Sequence, residues 1–383
     1  MKGSQKRGKR TGAKQAVAAK GEFPIGERKF DHVRISLEEN VSSTHNFWDD
    51  VVLEHLALPE INFEDISLKT KIFGRSILAP LVISGMTGGH HKLTKINRNL
   101  AFAAEKLGIP MGVGSQRAAL ESPELRETFA VIKGFDIPVR IANIGAPQLV
   151  LQKRGNRRPL TVDDCKKIME MIDAHVLAIH LNFLQEAVQM EGEKNAVGVI
   201  DRIKDISSEL PVIVKETGAG ISFPVARRLA SKTKIIGIDV GGLSGTSFSA
   251  VEALRSAQYD DPMGARLGRM LWDWGVPTPI SVVNASCAGI NEIIATGGIR
   301  SGLDVARALV LGARCAGLAK QLLPRAVTSG EGVQAELEAV CHELRTVMHL
   351  TGARILDDLP RVGFSLVGST GELFSAGAVR RGG

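Results

Sequence analysis

Eight short apolar runs, each followed by a glycine-rich or polar turn and then by a helical stretch, constrain the fold of this 383-residue chain most strongly. The runs are continuously apolar instead of alternating, which indicates strands covered on both faces of a sheet. Strands that alternate with helices indicate parallel βαβ units, and eight such units over about 250 residues match a closed (β/α)8 barrel, or TIM barrel. The strands are predicted at 81–84, 111–114, 139–144, 176–181, 212–215, 235–240, 292–296 and 315–319.

Helix-capping residues support this alternation. Thr161 precedes two aspartates, as an N-cap residue does, and Ser301 with Asp304 resembles a capping box before an apolar stretch that stops at Gly312. A doubly wound sheet is the alternative fold. That fold would usually carry a GxGxxG turn after its first strand, and the turn SGMTGGH at 84–90 lacks this spacing.

The net charge of +7 belongs to one end of the chain. The first 20 residues carry seven Lys or Arg and no acid, so the remaining 363 are formally neutral. We expect residues 1–25 to be a disordered basic tail, 26–370 to form one barrel domain with an N-terminal extension, and 371–383 to be a flexible tail. A basic tail could bind RNA, but no aromatic residues interleave its charges as stacking would require, so nucleic acid is not an expected partner.

Composition also bounds the cellular setting. No apolar run approaches the roughly 18–20 residues of a membrane span, and the N-terminus has no apolar core typical of a secretory signal. The four cysteines form no CxxC pair, which favours reduced thiols over a zinc site or a disulfide framework. A cytoplasmic protein without membrane contact is therefore expected. The long connection 241–281 is predicted to be a lid or an oligomer contact.

Polar residues follow nearly every predicted strand. In a (β/α)8 barrel the carboxyl ends of the strands meet at one rim, where the chemistry lies, so these residues predict a single site. They include Gly85, Met86, Thr87, Ser115, Gln116, Arg117, Asn143, His180, Asn182, Gln185, Glu186, Lys215, Asp239, Ser244, Thr246, Gly297, Gly298, Ile299, Arg300, Ala319 and Lys320.

The turn TGGIRSG at 296–302 predicts a phosphate site. Its small residues let backbone N–H groups approach an anion, and a predicted helix begins at Ser301. The loops after strands seven and eight are the usual phosphate site of this fold. A tight turn without a ligand is the alternative interpretation.

Lys215 and the group around His180 are the candidate reactive side chains. Lys215 ends an apolar strand near the barrel axis, where it could form a Schiff base or place a cation against an electron-rich ring. An ion pair with Glu216 is a weaker alternative, because adjacent strand residues point to opposite faces. His180 and Asn182 share a face, with Gln185 just beyond.

Two further sets of charged residues could bind a diphosphate with its metal. Glu186 is a candidate Mg²⁺ ligand, because magnesium uses one or two carboxylates and completes its shell with phosphates and water. An exposed glutamate at a helix start is the alternative. Arg28 and Lys29 could clamp a diphosphate together with Arg117, since such an anion needs several cations.

Nine motifs make a specific resemblance. From about residue 27 to 350 the chain resembles the type 2 isopentenyl-diphosphate delta-isomerases, in order and without a missing block. The motifs are RKFDHVRISL, SGMTGG, GVGSQR, NIGAPQL, HLNFLQE, MEGEKN, VIVKETGAGIS, GGLSGTSF and TGGIRSGLDVARAL. The resemblance implies an FMN-dependent barrel that interconverts isopentenyl and dimethylallyl diphosphate, with reduced flavin, Mg²⁺, and NAD(P)H as the reductant, NADPH in our assignment. It also implies a homo-oligomer with a small diphosphate substrate.

The resemblance also implies residue roles. FMN would contact Gly85, Met86, Thr87, Ser115, Asn143, Lys215 and Thr246 (Ser244 being the alternative to Thr246), with its phosphate held by Gly298, Ile299, Arg300, Ala319 and Lys320. The substrate would face Arg28, Lys29, Ser115, Gln116, Arg117, His180, Asn182 and Gln185. Glu186 would bind Mg²⁺, and Gln185, His180 and Lys215 would take part in catalysis.

The proposed reaction is redox-neutral, so a reduced flavin could act as acid and base at N5, and its anion could stabilise developing positive charge. The first alternative is a flavin oxidoreductase of the 2-hydroxy-acid oxidase type. It would need a base such as His near the last strands, and none of the nine histidines lies between 181 and 341. The second alternative is a Schiff-base aldolase using Lys215.

Overall fold

Eight parallel strands close into a barrel, which confirms the predicted fold. The structure is a computed structural model that describes residues 25–153 and 158–379. The predicted basic tail at 1–25 therefore lies almost entirely outside the described residues. All eight predicted strands are present, each within two residues of its predicted bounds. The barrel strands are β4 (Leu81–Ile83), β5 (Met111–Gly112), β6 (Arg140–Gly145), β7 (Val176–His180), β8 (Val212–Lys215), β9 (Gly237–Asp239), β10 (Ile293–Thr296) and β11 (Cys315–Leu318), and β11 pairs with β4.

Two small sheets are separate from the barrel sheet, and the sequence did not predict them. In one, β1 (Val51–Leu53) pairs antiparallel with β12 (Phe364–Leu366). In the other, β2 (Thr70–Ile72) and β3 (Arg75–Ile77) form a hairpin.

Helices surround the barrel. They are α1 (Ile25–Glu38), α2 (Thr94–Leu107), α3 (Arg117–Glu121), α4 (Glu127–Ala130), α5 (Val162–Glu170), α6 (Phe183–Val188), α7 (Val199–Ser207), α8 (Phe223–Lys232), α9 (Phe248–Gln258), α10 (Pro262–Met270), α11 (Thr278–Cys287), α12 (Gly302–Val310), α13 (Leu323–Thr328), α14 (Gly330–Leu350) and α15 (Gly368–Val379). Two of the predicted caps are formed: the Thr161 and Ser301 side chains accept from the N–H groups of Asp164 and Asp304.

Side chains alternate between the two faces of each strand, and this alternation separates two hydrophobic clusters. Residues that face outward pack against the helices, such as Leu177 and Ile179 of β7. Their neighbours Val176 and Ala178 face inward and pack with Ile141, Ile213 and other inward residues in the lower half of the barrel. The same strands therefore build two cores, one inside the barrel and one between barrel and helices.

The β2–β3 hairpin fills the lower, amino-terminal end of the barrel. Its two-residue turn is Phe73-Gly74, and both residues have positive φ (51° and 74°), as a type I′ turn requires. Ile72 and Ile77 are almost fully buried against the inward-facing strand residues, and Phe73 packs on the same cluster. The Phe73 N–H donates to Glu292 Oε2 at 2.9 Å, which fixes the turn below β10.

Two segments contain helices that the sequence analysis did not place. The long connection 241–281 is largely helical, because α9 and α10 lie within it and pack against each other. Composition predicted a flexible tail at 371–383, whereas α15 extends to Val379. Asp50 Oδ2 anchors the start of α15 by accepting from the Thr370 hydroxyl at 2.7 Å and from its N–H at 3.0 Å. None of the helices described combines the length and apolar character that crossing a bilayer requires.

Candidate active site

The inward-facing residues become polar toward the carboxyl ends of the strands. In β7 the inward series runs from Ala178 to His180, and in β8 from Ile213 to Lys215. These polar residues line a cavity of about 960 Å³ at the upper end of the barrel. Helix α1 and the segment 42–49 contribute to the same cavity wall. The cavity is large enough for a cofactor and a small substrate together.

Lys215 is buried and paired with a carboxylate of the neighbouring strand. Its Nζ donates to Asp239 Oδ2 at 3.0 Å and to the Glu216 carbonyl oxygen at 3.2 Å. Lys215 and Asp239 are 8% and 3% exposed, so this is a buried ion pair with the ammonium at the cavity.

The Glu216 carboxylate takes no part in that ion pair. It turns away and accepts from the backbone amides of the loop that follows, including Gly218 N at 2.7 Å. Burial raises the pKa of Glu216 to about 7, against the effect of these amides. The structure thus contradicts the alternative of a Lys215–Glu216 side-chain ion pair.

His180 is held as a neutral imidazole. Asn143 donates its amide to the Val113 carbonyl oxygen at 3.0 Å, so its Oδ1 faces His180 Nδ1 at 2.8 Å. An oxygen acceptor there requires the proton on Nδ1 and leaves the Nε2 lone pair free to accept. Burial, aided by the nearby positive charges of Lys215 and Lys29, lowers the pKa of His180 to about 3. His180 is thus an orienting group at neutral pH and is not an imidazolium acid.

The Gln185 amide is fixed by a buried glutamate that the sequence analysis missed. Gln185 Nε2 donates to Glu252 Oε1 at 2.9 Å, and Asn182 Nδ2 lies 3.4 Å from Gln185 Oε1. The same Glu252 lies 2.8 Å from His32 Nε2 and 3.2 Å from Arg255 Nη1. Burial alone would raise the pKa of Glu252, but His32 and Arg255 outweigh it and hold the pKa at about 2. Glu252 is therefore a permanent acceptor that orients Gln185.

Glu186 is a cavity-lining carboxylate, 5% exposed. Its two oxygens accept from Asn182 Nδ2 at 2.9 Å and from the backbone N of Glu193 at 2.7 Å. Burial raises its pKa above the ordinary value. The described residues contain no cluster of three or more His, Cys, Asp or Glu side chains suited to a metal. A cation at Glu186 would thus need most of its ligands from a bound anion and from water, which is the pattern expected of Mg²⁺.

Three basic residues, Arg28, Lys29 and Arg117, line the same cavity as Glu186. Arg28 lies 3.8 Å from Glu191, and Arg117 Nη1 donates to Glu193 Oε2 at 2.8 Å. Lys29 donates to the carbonyl oxygen of Ser115 and lies 5.0 Å from the centre of the Phe129 ring. Burial, with a smaller contribution from Arg28, lowers the pKa of Lys29 to about 7.

The turn at 297–300 lies at another part of the cavity wall. Gly298 has φ 77°, and a Cβ there would lie 2.5 Å from the Ser244 Cβ, so the turn requires glycine. Arg300 donates to Asp49 and Asp304, and Lys320 extends toward Ser42 at 3.4 Å. The backbone amides of Gly298 and Ile299 have no acceptor among the residues described. Two unpaired amides on a glycine turn suit an anion, so the residues fit the phosphate end of FMN.

Most sequence-predicted site residues line this one cavity. They are Arg28, Lys29, Gly85, Met86, Ser115, Arg117, Asn143, His180, Asn182, Gln185, Glu186, Lys215, Ser244, Thr246, Gly298, Ile299, Arg300, Ala319 and Lys320. Both Ser244 and Thr246 reach it; the Ser244 hydroxyl is bound to the Leu243 carbonyl oxygen, and Thr246 forms a β-bridge with Ser42.

Thr87 and Gln116 are two predicted site residues whose side chains do not line the cavity. The Thr87 hydroxyl donates to Asn97 Oδ1 at 2.5 Å, which turns it toward α2. Gln116 is fully buried, donates to the Ile168 carbonyl oxygen at 2.9 Å and accepts from the Asn143 N–H at 3.0 Å. Gln116 therefore supports Asn143 from behind.

Sequence reasoning missed Glu252, His32 and the segment 42–49. Glu252 had a detectable signal, because it is a lone carboxylate among small and apolar residues in FSAVEAL. A charge at such a position is buried only when it is paired. The segment 42–49 offered no such signal, since its role depends on contacts with residues more than 200 positions away.

Comparisons with known proteins agree with this geometry. A family model described as FMN-dependent dehydrogenase matches residues 272–364. The chain is 44% identical over 335 residues to an isopentenyl-diphosphate delta-isomerase of Thermoplasma acidophilum, covering 88% of this chain and 94% of that protein. It is 45% identical over 348 residues to the enzyme of the same name from Methanothrix thermoacetophila, covering 90% and 94%.

Among solved structures, a mandelate oxidase variant with an FMN adduct matches with a TM-score of 0.57. The identity is 19%, and the match covers 85% of this chain and 91% of that one. At this identity the likeness concerns the fold alone.

Proposed function

The chain belongs to the isopentenyl-diphosphate delta-isomerase family, and from this premise we propose that its barrel cavity binds FMN and Mg²⁺ and interconverts isopentenyl and dimethylallyl diphosphate without net redox change. One observation carries the proposal: a single cavity holds two separate sites suited to phosphate. The amides at 298–299 form one site, and the cluster Arg28, Lys29 and Arg117 beside Glu186 forms the other. One site suits the phosphate of FMN and the other the diphosphate of the substrate. The FMN-dependent dehydrogenase match supports the flavin.

Shifting a double bond by one carbon requires one proton to be added and another removed. When bound in its reduced form, FMN would supply a ring nitrogen able to carry a proton and an electron-rich face. The Gln185 amide, held by Glu252, orients the reacting end of the substrate, and the neutral His180 keeps Nε2 free to accept a hydrogen bond. Lys215 provides a fixed positive charge inside the barrel.

Arg28, Lys29 and Arg117 would anchor the diphosphate, and Glu186 would hold Mg²⁺, which would offset part of the diphosphate charge. Anchoring the charged end restricts the small apolar end to the region between Gln185 and His180, where orientation lowers the entropic barrier. The cluster thus contributes to the rate as well as to affinity.

The stoichiometry of the reductant tests this function. Because the reaction is redox-neutral, anaerobic enzyme with NADPH at about one equivalent of enzyme should convert many equivalents of isopentenyl diphosphate. The measurement compares NADPH oxidised with dimethylallyl diphosphate formed. One NADPH consumed per product would contradict the isomerase and favour a flavin oxidoreductase. A Schiff-base adduct trapped on Lys215 by borohydride would instead support the aldolase.

Glu186→Gln should retain FMN and raise the Mg²⁺ concentration needed for half-maximal activity by roughly ten-fold or more, since an amide is a poorer ligand than a carboxylate for a hard cation. Mg²⁺ titrations of activity, with the visible spectrum as a measure of bound flavin, check this. The matched control is Glu105→Gln, which changes a carboxylate that also accepts from a backbone N–H (Asp136 N, 2.7 Å) but lies outside the cavity. Loss of flavin with normal Mg²⁺ dependence would make the metal assignment wrong.

Substrate affinity should fall with rising pH above about 7. Lys29 has a pKa of about 7, and a diphosphate binds its protonated form better. The pairing is therefore complete below pH 7 and is lost as Lys29 deprotonates, so Kd should rise by up to about ten-fold per pH unit between pH 7 and 9. Lys29→Gln should bind more weakly and show a flatter profile. An equally steep profile in that variant would assign the titration to another group.

A further inference from the structure

Residues 46–49 contact the turn at 297–300 at three points. The Trp48 indole Nε1 donates to the Gly297 carbonyl oxygen at 2.8 Å, and Asn46 Nδ2 donates to the Gly298 carbonyl oxygen at 2.8 Å. The Asp49 carboxylate accepts from both terminal nitrogens of Arg300, at 2.5 and 3.2 Å. Trp48 is fully buried, so its hydrogen bond is shielded from water.

The two carbonyl groups determine the direction of the two unpaired amides. In a planar trans peptide the N–H points opposite to the C=O of the same unit. The Gly297 carbonyl shares its peptide with the N–H of Gly298, and the Gly298 carbonyl shares its peptide with the N–H of Ile299. Trp48 and Asn46 therefore hold the two peptides whose amides have no acceptor among the described residues.

Without these donors the turn would have other conformations available. Gly297 and Gly298 both have positive φ (117° and 77°), and glycine residues allow peptide units to rotate at little steric cost. Asn46 is itself fixed, because its Oδ1 accepts from the Trp48 N–H at 3.2 Å as the cap of a 3₁₀ turn. The 46–49 segment thus restricts a flexible turn to one amide orientation.

We propose that Asn46 and Trp48 are positioning residues that orient the 298–299 amides and so make the cavity select a phosphorylated flavin over an unphosphorylated one. The inference rests on the proposed binding of FMN. It assigns the selectivity to two side chains that bind the carbonyl oxygens of the turn, while the amides themselves contact the phosphate.

Riboflavin lacks only the phosphate, so it separates positioning from general structural support. The experiment titrates flavin-free full-length protein with FMN and with riboflavin, by quenching of flavin fluorescence, for wild type, Trp48→Phe and Asn46→Asp. Phenylalanine fills most of the indole volume without the N–H, and aspartate keeps the capping oxygen while losing the donor. Trp272→Phe is the matched control, since it removes another indole that donates to a backbone carbonyl oxygen (Ser42, 2.9 Å) outside the turn.

Each variant should weaken FMN about ten-fold, the size expected for one shielded hydrogen bond, and change the riboflavin Kd less than two-fold. Trp272→Phe should leave the FMN-to-riboflavin ratio of Kd values unchanged. Equal loss of both flavins in Trp48→Phe and Asn46→Asp, or an unchanged FMN Kd, would overturn the inference. If Trp48→Phe fails to fold, Asn46→Ser decides, because serine keeps a capping oxygen and adds no negative charge to the cavity. Wild-type protein that binds no FMN would instead contradict the proposed function.

Discussion

Gln185→Ala should lower kcat by roughly 100-fold or more while FMN remains bound, which is the loss expected for a positioned proton-transfer partner. The Gln185 amide is fixed between Glu252 and Asn182, so its orientation toward the cavity is set before substrate arrives. Alanine removes that group but leaves Glu252 with its contacts to His32 and Arg255, so the buried carboxylate keeps two partners. Initial rates and the visible flavin spectrum provide the two readouts.

Gln334→Ala is the matched control for this variant. Gln334 also donates its amide to a carboxylate, Glu338 Oε1 at 2.7 Å, but it lies on the exposed side of α14. The control should keep kcat within about two-fold of the wild-type value. A Gln185→Ala enzyme with a normal kcat and a raised KM would show that Gln185 only binds substrate.

Lys215→Ala should weaken FMN binding by roughly 100-fold or more, because breaking a buried ion pair leaves an uncompensated charge at Asp239. The pKa of the reduced flavin should also rise, since the anionic ring loses its positive neighbour. FMN titration and a spectroscopic pH titration of the reduced enzyme measure the two effects. If neither changes, Lys215 does not face the ring.

A second substitution separates the two effects of Lys215→Ala. Lys215→Ala combined with Asp239→Asn removes the unpaired charge, so FMN affinity should recover in part while the flavin pKa stays raised. Lys166→Ala is the matched control at the surface of the protein. It removes an exposed lysine paired with Glu209 at 3.1 Å and should change neither the FMN affinity nor the flavin pKa.

The barrel was predictable because its signal is local. Each strand is a continuous apolar run followed by a turn, and in β7 and β8 the inward series changes from apolar to polar within the strand itself, as from Ile213 to Lys215. The site residues at strand ends follow from the same rule, since parallel strands bring those ends together. Thr87 and Gln116 show its limit, because position at a strand end does not fix the direction of a side chain.

The supporting contacts were not predictable from local pattern. Gln185 meets Glu252 across 67 positions, and Trp48 meets Gly297 across 249. Such pairs depend on how α1, α9 and the 42–49 segment pack on the finished barrel. Composition also gave no sign of α15, whose Thr370 is held by a distant carboxylate, Asp50.

The hairpin that fills the lower end of the barrel has a kinetic consequence. Ile72, Phe73 and Ile77 pack into that end, so within the described part of the chain small molecules have no second route into the barrel there. The substrate and the product of the proposed reaction, two isomeric diphosphates, would then enter and leave through the same upper opening of the barrel and occupy the same binding site. Each product molecule has to leave before the next substrate molecule binds, so the product competes directly with the substrate. The net rate of conversion therefore falls as the product accumulates.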